Sequence, residues 1–462
     1  MPARAPAQHR TVAAGTVLPR WIRLAPALAG IGLACVGPPA TQDVPRLPLL
    51  ATGARHTCAL APQGAVHCWG NNDSGQLGRS APGVALPDGR VDLGTNRRAI
   101  GVFAGLEHTC AILADGAVKC WGLNNWGQLG VGDTTRRGDG VAAMGDGLPV
   151  VDLGAGRRAI AIAAGSSATC ALLDGGSVKC WGDNYQGALG YGDLETRGAA
   201  PGTMGAALRD IDLGSRDGAP LQAQQIVAID YHSFCAIIAD TGPDESGLKC
   251  WGSNDYCELG IGTTQGGLAN DPSTTGNGLP WINIGKTATG ATRKAVAAAG
   301  GFQFVCVLGD DGAVSCWGDN WSGQLGIGTS SAPRSCQPAE TGGAALARLP
   351  LPAVALGARG ESAGAGAHAC ALLASGQVMC WGENGSGQLG TGDTVSLTTP
   401  SAPLAFGDDF IPGTLVLGNE HSCATSADGA VRCWGSNRDG QLGVEGTGDS
   451  LSPIAIALPR VR

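Results

Sequence analysis

The cysteines are the residues of this sequence with the most chemistry to offer, and fourteen of the seventeen form pairs at a regular spacing. Nine residues separate the two cysteines in six of these pairs, and fourteen separate Cys235 from Cys250. Zinc sites usually place about two to four residues between neighbouring ligands, so disulfides are favoured over metal binding. The predicted bonds join Cys58 to Cys68, Cys110 to Cys120, Cys170 to Cys180, Cys235 to Cys250, Cys306 to Cys316, Cys370 to Cys380 and Cys423 to Cys433.

Three cysteines remain outside these pairs, namely Cys35, Cys257 and Cys336. Cys257 and Cys336 follow the fourth and fifth pairs, and a bond between neighbouring repeats is predicted for them. Cys35 is then the one odd thiol. So many cysteines in a chain of 462 residues indicate an oxidising compartment.

The first 35 residues are typical of an export signal. Four arginines precede an apolar run at 24–34, which is too short to span a bilayer, and small residues lead into Cys35. This order resembles a lipoprotein processing site, where the cysteine becomes the lipidated first residue of the mature chain. Plain secretion with cleavage nearby and a disordered N-terminus are the alternatives. Residues 36–46 contain three prolines and are predicted to form a short tether.

Each cysteine pair lies in a predicted β-hairpin, because apolar and small residues alternate on both sides of a turn. The turn at residues 114–116 places Cys110 opposite Cys120 and Ile112 opposite Val118. Directly opposed residues of antiparallel strands have Cα atoms roughly 4.5 to 5.5 Å apart, a separation that a disulfide accepts.

The hairpin recurs seven times, and each copy ends in Cys-Trp-Gly. A hairpin alone cannot bury its apolar face, so the segments between hairpins, such as residues 90–94 and 99–105, are expected to add strands. The sequence therefore predicts an all-β, seven-bladed β-propeller of four-stranded antiparallel blades over residues 47–462, with one hairpin disulfide per blade. The C-terminal strand near residues 453–458 is expected to complete one blade together with the N-terminus and so to close the ring.

Two motifs in these copies identify a family. Gly-x-x-His-Thr-x-x-Leu, as at residues 53–60, and Asp-Gly-x-Val-x-x-Trp-Gly-x-Asn-x-x-Gly-Gln-Leu-Gly, as at residues 115–130, resemble the regulator of chromosome condensation repeat. The resemblance covers roughly residues 47–458 and implies a seven-bladed propeller. The family includes a nuclear nucleotide-exchange factor, a plant light sensor and secreted bacterial inhibitors of β-lactamases, so it implies no single function. The paired cysteines resemble an extracytoplasmic bacterial branch.

Charge and motif content narrow the classes of partner. A formal net charge of −8 lacks the basic surface that nucleic acids and anionic membranes require. Membrane attachment is therefore expected only through a lipid on Cys35. No cofactor is predicted, and the chain is expected to be a monomer, secreted or lipid-anchored at the cell envelope.

Residues able to act in catalysis are present, but their arrangement does not favour an enzyme. A single Gly-x-Ser-x-Gly surrounds Ser362 and leads into a hairpin, whereas a nucleophile elbow needs a strand-to-helix turn. Five histidines precede hairpin cysteines by two or three residues, and their recurrence favours a hydrogen bond fixing the strand turn, with a metal ring as the alternative. These are His56, His108, His232, His368 and His421.

Aromatic residues that do not recur in every repeat are the predicted contacts for a partner. Trp126, Tyr185, Tyr256 and Trp321 occupy the variable stretch after the repeated Asn, inside a loop that other repeats fill with Ser, Gly or Asp. The predicted function is an extracytoplasmic scaffold that binds a protein or a glycan through the propeller rim. The alternatives are a secreted hydrolase or lyase with a site in the central funnel, and a guanine-nucleotide exchange factor by family analogy alone.

Overall fold

The computed structural model describes residues 49–80, 89–140, 144–229, 231–264, 266–330, 334–336, 349, 353–359 and 366–458, and the structural statements below concern these residues. Leu47–Arg462 form one compact unit. The predicted export signal at 1–35, the predicted tether at 36–46, the proposed lipidation site Cys35 and Ser362 lie outside the described residues.

Short strands follow one another along the chain in seven antiparallel sheets, which we call blades 1 to 7. Their bounds are β1 (Leu50–Thr52), β2 (His56–Leu60) and β3 (Val66–Gly70) in blade 1; β4 (Ala99–Ala104), β5 (His108–Leu113) and β6 (Val118–Gly122) in blade 2; β7 (Ala159–Ala164), β8 (Ala168–Leu173) and β9 (Val178–Gly182) in blade 3, then a separate hairpin of β10 (Ser215–Arg216) and β11 (Ala219–Pro220); β12 (Ala223–Ala228), β13 (Ser233–Ile238) and β14 (Leu248–Gly252) in blade 4; β15 (Ala295–Gly301), β16 (Phe304–Gly309), β17 (Val314–Asp319) and β18 (Arg334–Ser335) in blade 5; β19 (Ala353–Arg359), β20 (His368–Leu373) and β21 (Val378–Gly382) in blade 6; and β22 (Pro412–Leu417), β23 (His421–Ser426), β24 (Val431–Gly435) and β25 (Ser450–Ile456) in blade 7.

Helical structure in the described residues is limited to short 3₁₀ turns at Gly145–Gly147, Tyr185–Gly187, Pro272–Thr274 and Gly276–Gly278. No helix in that part of the chain is long and apolar enough to cross a membrane.

The predicted fold class is confirmed, with three or four strands in each blade. Blades 5 and 7 have a fourth strand, whereas the others carry an isolated bridge in its place, such as Arg137 opposite Gly122. The segment that follows each bridge adds at least one hydrogen bond to the third strand, as from Val151 N–H to the Val118 carbonyl at 2.8 Å. Because the chain meanders, this segment belongs to the hairpin before it and not to the hairpin after it.

Ring closure follows from the same connectivity. Strand β25 pairs with β24 inside blade 7, so the expectation that both termini complete one blade is wrong in this detail. The terminal strands nevertheless meet across the closure, because Leu50 and Trp69 of blade 1 share a buried cluster with Leu442 and Ile456. Blade 1 therefore closes on blade 7 by packing and not by a shared sheet.

A buried tryptophan joins every blade to the blade before it, and we call this contact the tryptophan lock. The Trp of each Cys-Trp-Gly is fully buried, and its indole N–H donates to a backbone carbonyl in the loop of the preceding blade, at 2.8 to 3.1 Å. Buried indoles need such an acceptor, so the contact fixes the spacing of neighbouring blades. The pairs are Trp69 with Gln441, Trp121 with Gln76, Trp181 with Gln128, Trp251 with Ala188, Trp317 with Glu258, Trp381 with Gln324, and Trp434 with Gln388.

The hairpin cysteines face each other as the turns predict. Cys110 lies opposite Cys120 and Ile112 opposite Val118, and the Cα atoms of the two cysteines are 4.1 Å apart. The other six hairpin pairs have Cα separations of 4.0 to 4.1 Å. Cys257 and Cys336 also come within disulfide distance, with Cα atoms 4.6 Å apart, and they connect the loop of blade 4 to the residue that follows β18 of blade 5.

Non-reducing peptide mapping of the oxidised protein tests this framework. We expect seven links within hairpins and an eighth between Cys257 and Cys336, because only these cysteines oppose one another in the described residues. A reduced and alkylated sample is the control. A peptide that links Cys110 to a cysteine of another blade would contradict the hairpin arrangement.

Candidate functional site

One end of the propeller, which we call the loop face, carries the predicted contact residues. The turn before the second strand and the loop after the third strand meet there, because the first residue of the second strand pairs with the last residue of the third strand. In blade 2 these residues are His108 and Gly122. The hairpin turn at 114–116 lies at the opposite end of the blade. Side chains from neighbouring blades therefore come together on the loop face.

Two side chains inside the repeated loop fix its conformation. In blade 2 the Asn124 side-chain oxygen accepts the Leu129 N–H at 3.0 Å, and the Gln128 side-chain oxygen accepts the Trp126 N–H at 2.9 Å. Asn124 and Gln128 are buried, whereas the indole of Trp126 points outward. The loop thus presents one side chain from a backbone that is held by internal hydrogen bonds.

The four predicted contact residues all lie on this face. Trp126 is 51% exposed, Tyr185 54% and Trp321 57%, and they belong to blades 2, 3 and 5. Tyr256 of blade 4 is half-buried, with the Arg334 guanidinium 5.5 Å from its ring centroid. Exposed aromatic side chains on a fixed backbone lose little conformational entropy when a partner binds, which suits them to recognition.

Three further rings continue this surface: Tyr231 and Phe302 were missed by sequence reasoning, and His232 was predicted only as one of the recurring histidines. Tyr185 contacts His232 with ring centroids 4.9 Å apart, His232 contacts Tyr231 at 5.9 Å, and Tyr231 meets Phe302 edge-on at 5.8 Å. Tyr231 and Phe302 lie in the turns before the second strands of blades 4 and 5, where other blades carry Ala54, Leu106 or Ser166. The criterion that found Tyr185, an aromatic that does not recur, would have found them too.

A carboxylate lies beside these rings. Asp183 Oδ2 is 3.4 Å from His232 Nδ1, across the boundary between blades 3 and 4. Burial lowers the pKa of His232, and the negative charge of Asp183 opposes that shift. We name Tyr185, Tyr231, His232, Phe302 and Asp183 together the Tyr185 surface.

The central channel offers little for the alternative of a hydrolase or lyase. The first strands of the blades enclose a channel of about 240 Å³. Among the described residues that line it, Arg359 is the one ionisable side chain, and Ala, Gly, Val, Leu and Ile make up most of the wall. Glycosidic hydrolysis needs two carboxyl groups, and none of the described lining residues carries one.

The recurring histidines form hydrogen bonds between blades. His56, His108, His368 and His421 are fully buried, and each Nε2 lies 2.8 to 3.0 Å from a hydroxyl oxygen of the next blade. The partners are Thr109, Thr169, Ser422 and Thr57 respectively. The expected hydrogen bond to the strand turn is present at His368, whose Nδ1 lies 2.7 Å from the Gly366 carbonyl oxygen. The Nε2 contacts of all four histidines join neighbouring blades, which the sequence did not predict. The described residues contain no group of three or more His, Cys, Asp or Glu placed to hold a metal ion.

The other three blade boundaries lack this pair, and five of the six residues at the two positions are apolar. The sixth is Ser233, whose hydroxyl donates to the Ser253 carbonyl at 3.0 Å. Blades 3, 4 and 5 replace the histidine, and the blade that follows each of them lacks the hydroxyl. The corresponding pairs are Ala168 with Phe234, Ser233 with Val305, and Phe304 with Ala369. Histidine and hydroxyl therefore occur together or not at all, which matches the cost of burying either group alone.

The fold and the repeated loop face define a β-propeller built from one repeat. The RCC1-like domain matches residues 32–411, and the regulator of chromosome condensation (RCC1) repeat matches residues 414–441. The chain belongs to the RCC1-like domain family.

Similar proteins span several activities. The ultraviolet-B receptor UVR8 of Arabidopsis thaliana is 26% identical over 409 residues, which cover 88% of this chain and 81% of the receptor. The human E3 ubiquitin-protein ligase HERC2 is 29% identical over 287 residues, which cover 61% of this chain but only 5% of the ligase. The crystal structure of Prp20p from Saccharomyces cerevisiae shares the fold, with a TM-score of 0.64 and 18% identity over 86% of this chain and 87% of that one.

The four buried histidines should make the folded protein sensitive to acid. Burial lowers the pKa of His56, His108 and His421 to about 3 and that of His368 to about 4. The unfolded chain therefore binds protons more readily, so stability falls as pH drops from about 6.5 toward 4. Each histidine should contribute a slope of about 1.4 kcal/mol per pH unit to the free energy of unfolding.

The double variant His108→Phe with Thr169→Ala copies the Phe304 and Ala369 pair and should reduce this slope by about one histidine's share. Urea unfolding at a series of pH values, with disulfides intact, measures it. Phe304→Leu is the control, since it disturbs packing at the equivalent position without changing an ionisable group. An unchanged slope in the double variant would show that His108 is not buried as a neutral side chain.

Proposed function

We propose that this protein is an extracytoplasmic scaffold that binds a protein or a glycan through the aromatic side of its loop face. The observation that supports this most is the set of three large aromatic side chains, Trp126, Tyr185 and Trp321, each more than half exposed on one face. Soluble proteins rarely expose such residues together unless a partner covers them.

The disulfides support the extracytoplasmic part of the proposal. Seven hairpins carry cysteine pairs at bonding distance, and such a framework persists only where thiols are oxidised. Closing a loop of this length lowers the entropy of the unfolded chain, and each bond stabilises the fold by at most about 3 kcal/mol. A lipid on Cys35 would hold the scaffold at the cell envelope.

Relatives support a binding role without naming the partner. Yeast Prp20p has binding properties toward Gsp1p and histones, so a propeller of this shape is able to present a surface for proteins. Ligase activity is not proposed, because the matched segment covers 5% of HERC2. We likewise propose that the protein acts by binding a partner and not as an enzyme, and that it needs no cofactor.

A pull-down with the oxidised mature chain, residues 36–462, tests the binding face. In the variant with Trp126, Tyr185, Tyr256 and Trp321 changed to Ala, the amount of captured partner should fall at least about tenfold. Hot-spot aromatic residues typically contribute roughly 2 kcal/mol or more each to the free energy of binding.

A matched control removes four exposed apolar side chains at the opposite end of the propeller. Ile100, Val296, Val354 and Ile411 are 42%, 52%, 53% and 75% exposed. The first three are the second residues of β4, β15 and β19, and Ile411 directly precedes β22, so all four lie at the hairpin-turn end of the blades. Their replacement by Ala should leave capture intact. Equal capture by both folded variants would contradict the proposed face, and loss in the control variant alone would place the binding surface at the other end.

A further inference from the structure

Blade 3 departs from the other six at one position of the repeated loop. Blades 1, 2, 5, 6 and 7 place Gln there, blade 4 places Glu258, and blade 3 places Ala188. In all six other blades the side-chain oxygen accepts the backbone N–H two residues earlier, at 2.8 to 2.9 Å. Ala188 has no such oxygen, so this loop lacks the hydrogen bond that shapes the rest.

The first consequence concerns the backbone beside Tyr185. Gln186 has φ +52°, in the left-handed region, whereas the equivalent residues Trp126, Tyr256 and Ser322 do not have positive φ. A residue with a side chain rarely adopts this conformation, because its Cβ comes too close to the following carbonyl oxygen. The altered backbone directs the Gln186 side chain across the blade boundary, where its amide donates to Asp255 Oδ2 at 3.1 Å.

The second consequence concerns the carboxylate. In blade 5 the Gln324 amide donates to Asp319 Oδ2 at 2.7 Å, and in blade 1 the Gln76 amide donates to Asn71 at 2.8 Å. Asp183 occupies the same position in blade 3, where Ala188 offers no amide. Its carboxylate lies instead 3.4 Å from His232, with 13% of the side chain exposed, so it belongs to the Tyr185 surface and not to a hydrogen bond inside its own loop.

The result is a combination of ring faces and negative charge at one boundary. Tyr185 is 54% exposed and contacts His232, while Asp183 and Asp255 bring carboxylates to either side. The Arg334 guanidinium lies on the far side of Asp255 from Tyr185: it donates to the Asp255 backbone carbonyl and packs on the ring of Tyr256. Aromatic faces attract cations, and a carboxylate nearby strengthens the attraction and sets its geometry.

We propose that the Tyr185 surface binds a basic side chain, Arg or Lys, of a partner protein, with Tyr185 contacting its stem and Asp183 and Asp255 facing its charge. The inference rests on the proposed function, since it names the partner's chemistry at the same face. A net charge of −8 favours the approach of a basic segment. The experiment must therefore distinguish binding of a basic side chain from binding of a glycan or of an uncharged protein surface.

Fluorescence anisotropy with three labelled octapeptides, (Arg-Gly)₄, (Lys-Gly)₄ and (Glu-Gly)₄, tests the charge preference on the oxidised chain 36–462. The Arg and Lys peptides should bind more tightly than the Glu peptide by at least about tenfold, and added salt should weaken them. Equal binding of all three, or no binding of the basic peptides, would overturn the proposal.

Two variants test the site itself. Ala188→Gln restores the residue that five blades already carry, so it should fold, hold Asp183 by a hydrogen bond and weaken the Arg peptide about tenfold. Asp183→Asn should weaken it similarly. Asp174→Asn makes the same charge change in the exposed hairpin turn at the other end of blade 3 and should have no effect. Equal weakening by Asp174→Asn would reduce the effect to net charge and contradict the site.

The pull-down separates this inference from the proposed function. If Ala188→Gln and Asp183→Asn retain a partner that the four-residue aromatic variant loses, the scaffold proposal stands and the basic side chain is wrong. If the aromatic variant also retains every partner, the proposed function fails as well.

Discussion

The buried tryptophan of each repeat sets the constraint on which the rest of the structure depends. Its indole is too large for the interior of one thin blade, and its N–H needs an acceptor that the blade's own sheet does not supply. The neighbouring loop supplies a carbonyl at 2.8 to 3.1 Å at all seven boundaries, the closure between Trp69 and Gln441 included. A repeat is therefore complete only against its neighbour, and the ring closes although its termini share no sheet.

This arrangement explains why the loop face is suited to recognition. The carbonyl that accepts the indole belongs to the loop whose Asn and Gln side chains hold the exposed residue, so blade packing and side-chain presentation are linked. A substitution at the exposed position therefore leaves the loop conformation intact, whereas a substitution of the Asn or Gln removes a hydrogen bond that holds it. Blade 3 shows the exception: Ala188 keeps the carbonyl for Trp251 but lacks the side-chain hydrogen bond, Gln186 has positive φ, and Asp183 lies beside His232.

Much of this structure follows from the sequence, for reasons that differ between features. The hairpin register was predictable because a three-residue turn fixes which residues oppose, and Cys110 opposes Cys120 as expected. The blade to which residues 90–94 belong was not predictable, since a short segment between two hairpins can pair with either one. In the structure Val91 bonds to Val66, so the segment belongs to the hairpin before it. The partner of His56 was not predictable either, because Thr109 lies a whole repeat away. The missing hydrogen bond at Ala188 was not predictable, because the side-chain bond that the other six repeats make here became visible only in the structure.

Hydrogen exchange of the tryptophan indoles, followed by NMR on the oxidised protein, tests the central constraint most directly. Of the eleven Trp side chains, seven form the lock and two, Trp126 and Trp321, are exposed. The seven indole N–H groups should exchange only with global unfolding, while Trp126 and Trp321 should exchange at once. If lock indoles exchange as fast as the exposed pair, the blades are not joined by these bonds and this account of the ring is wrong.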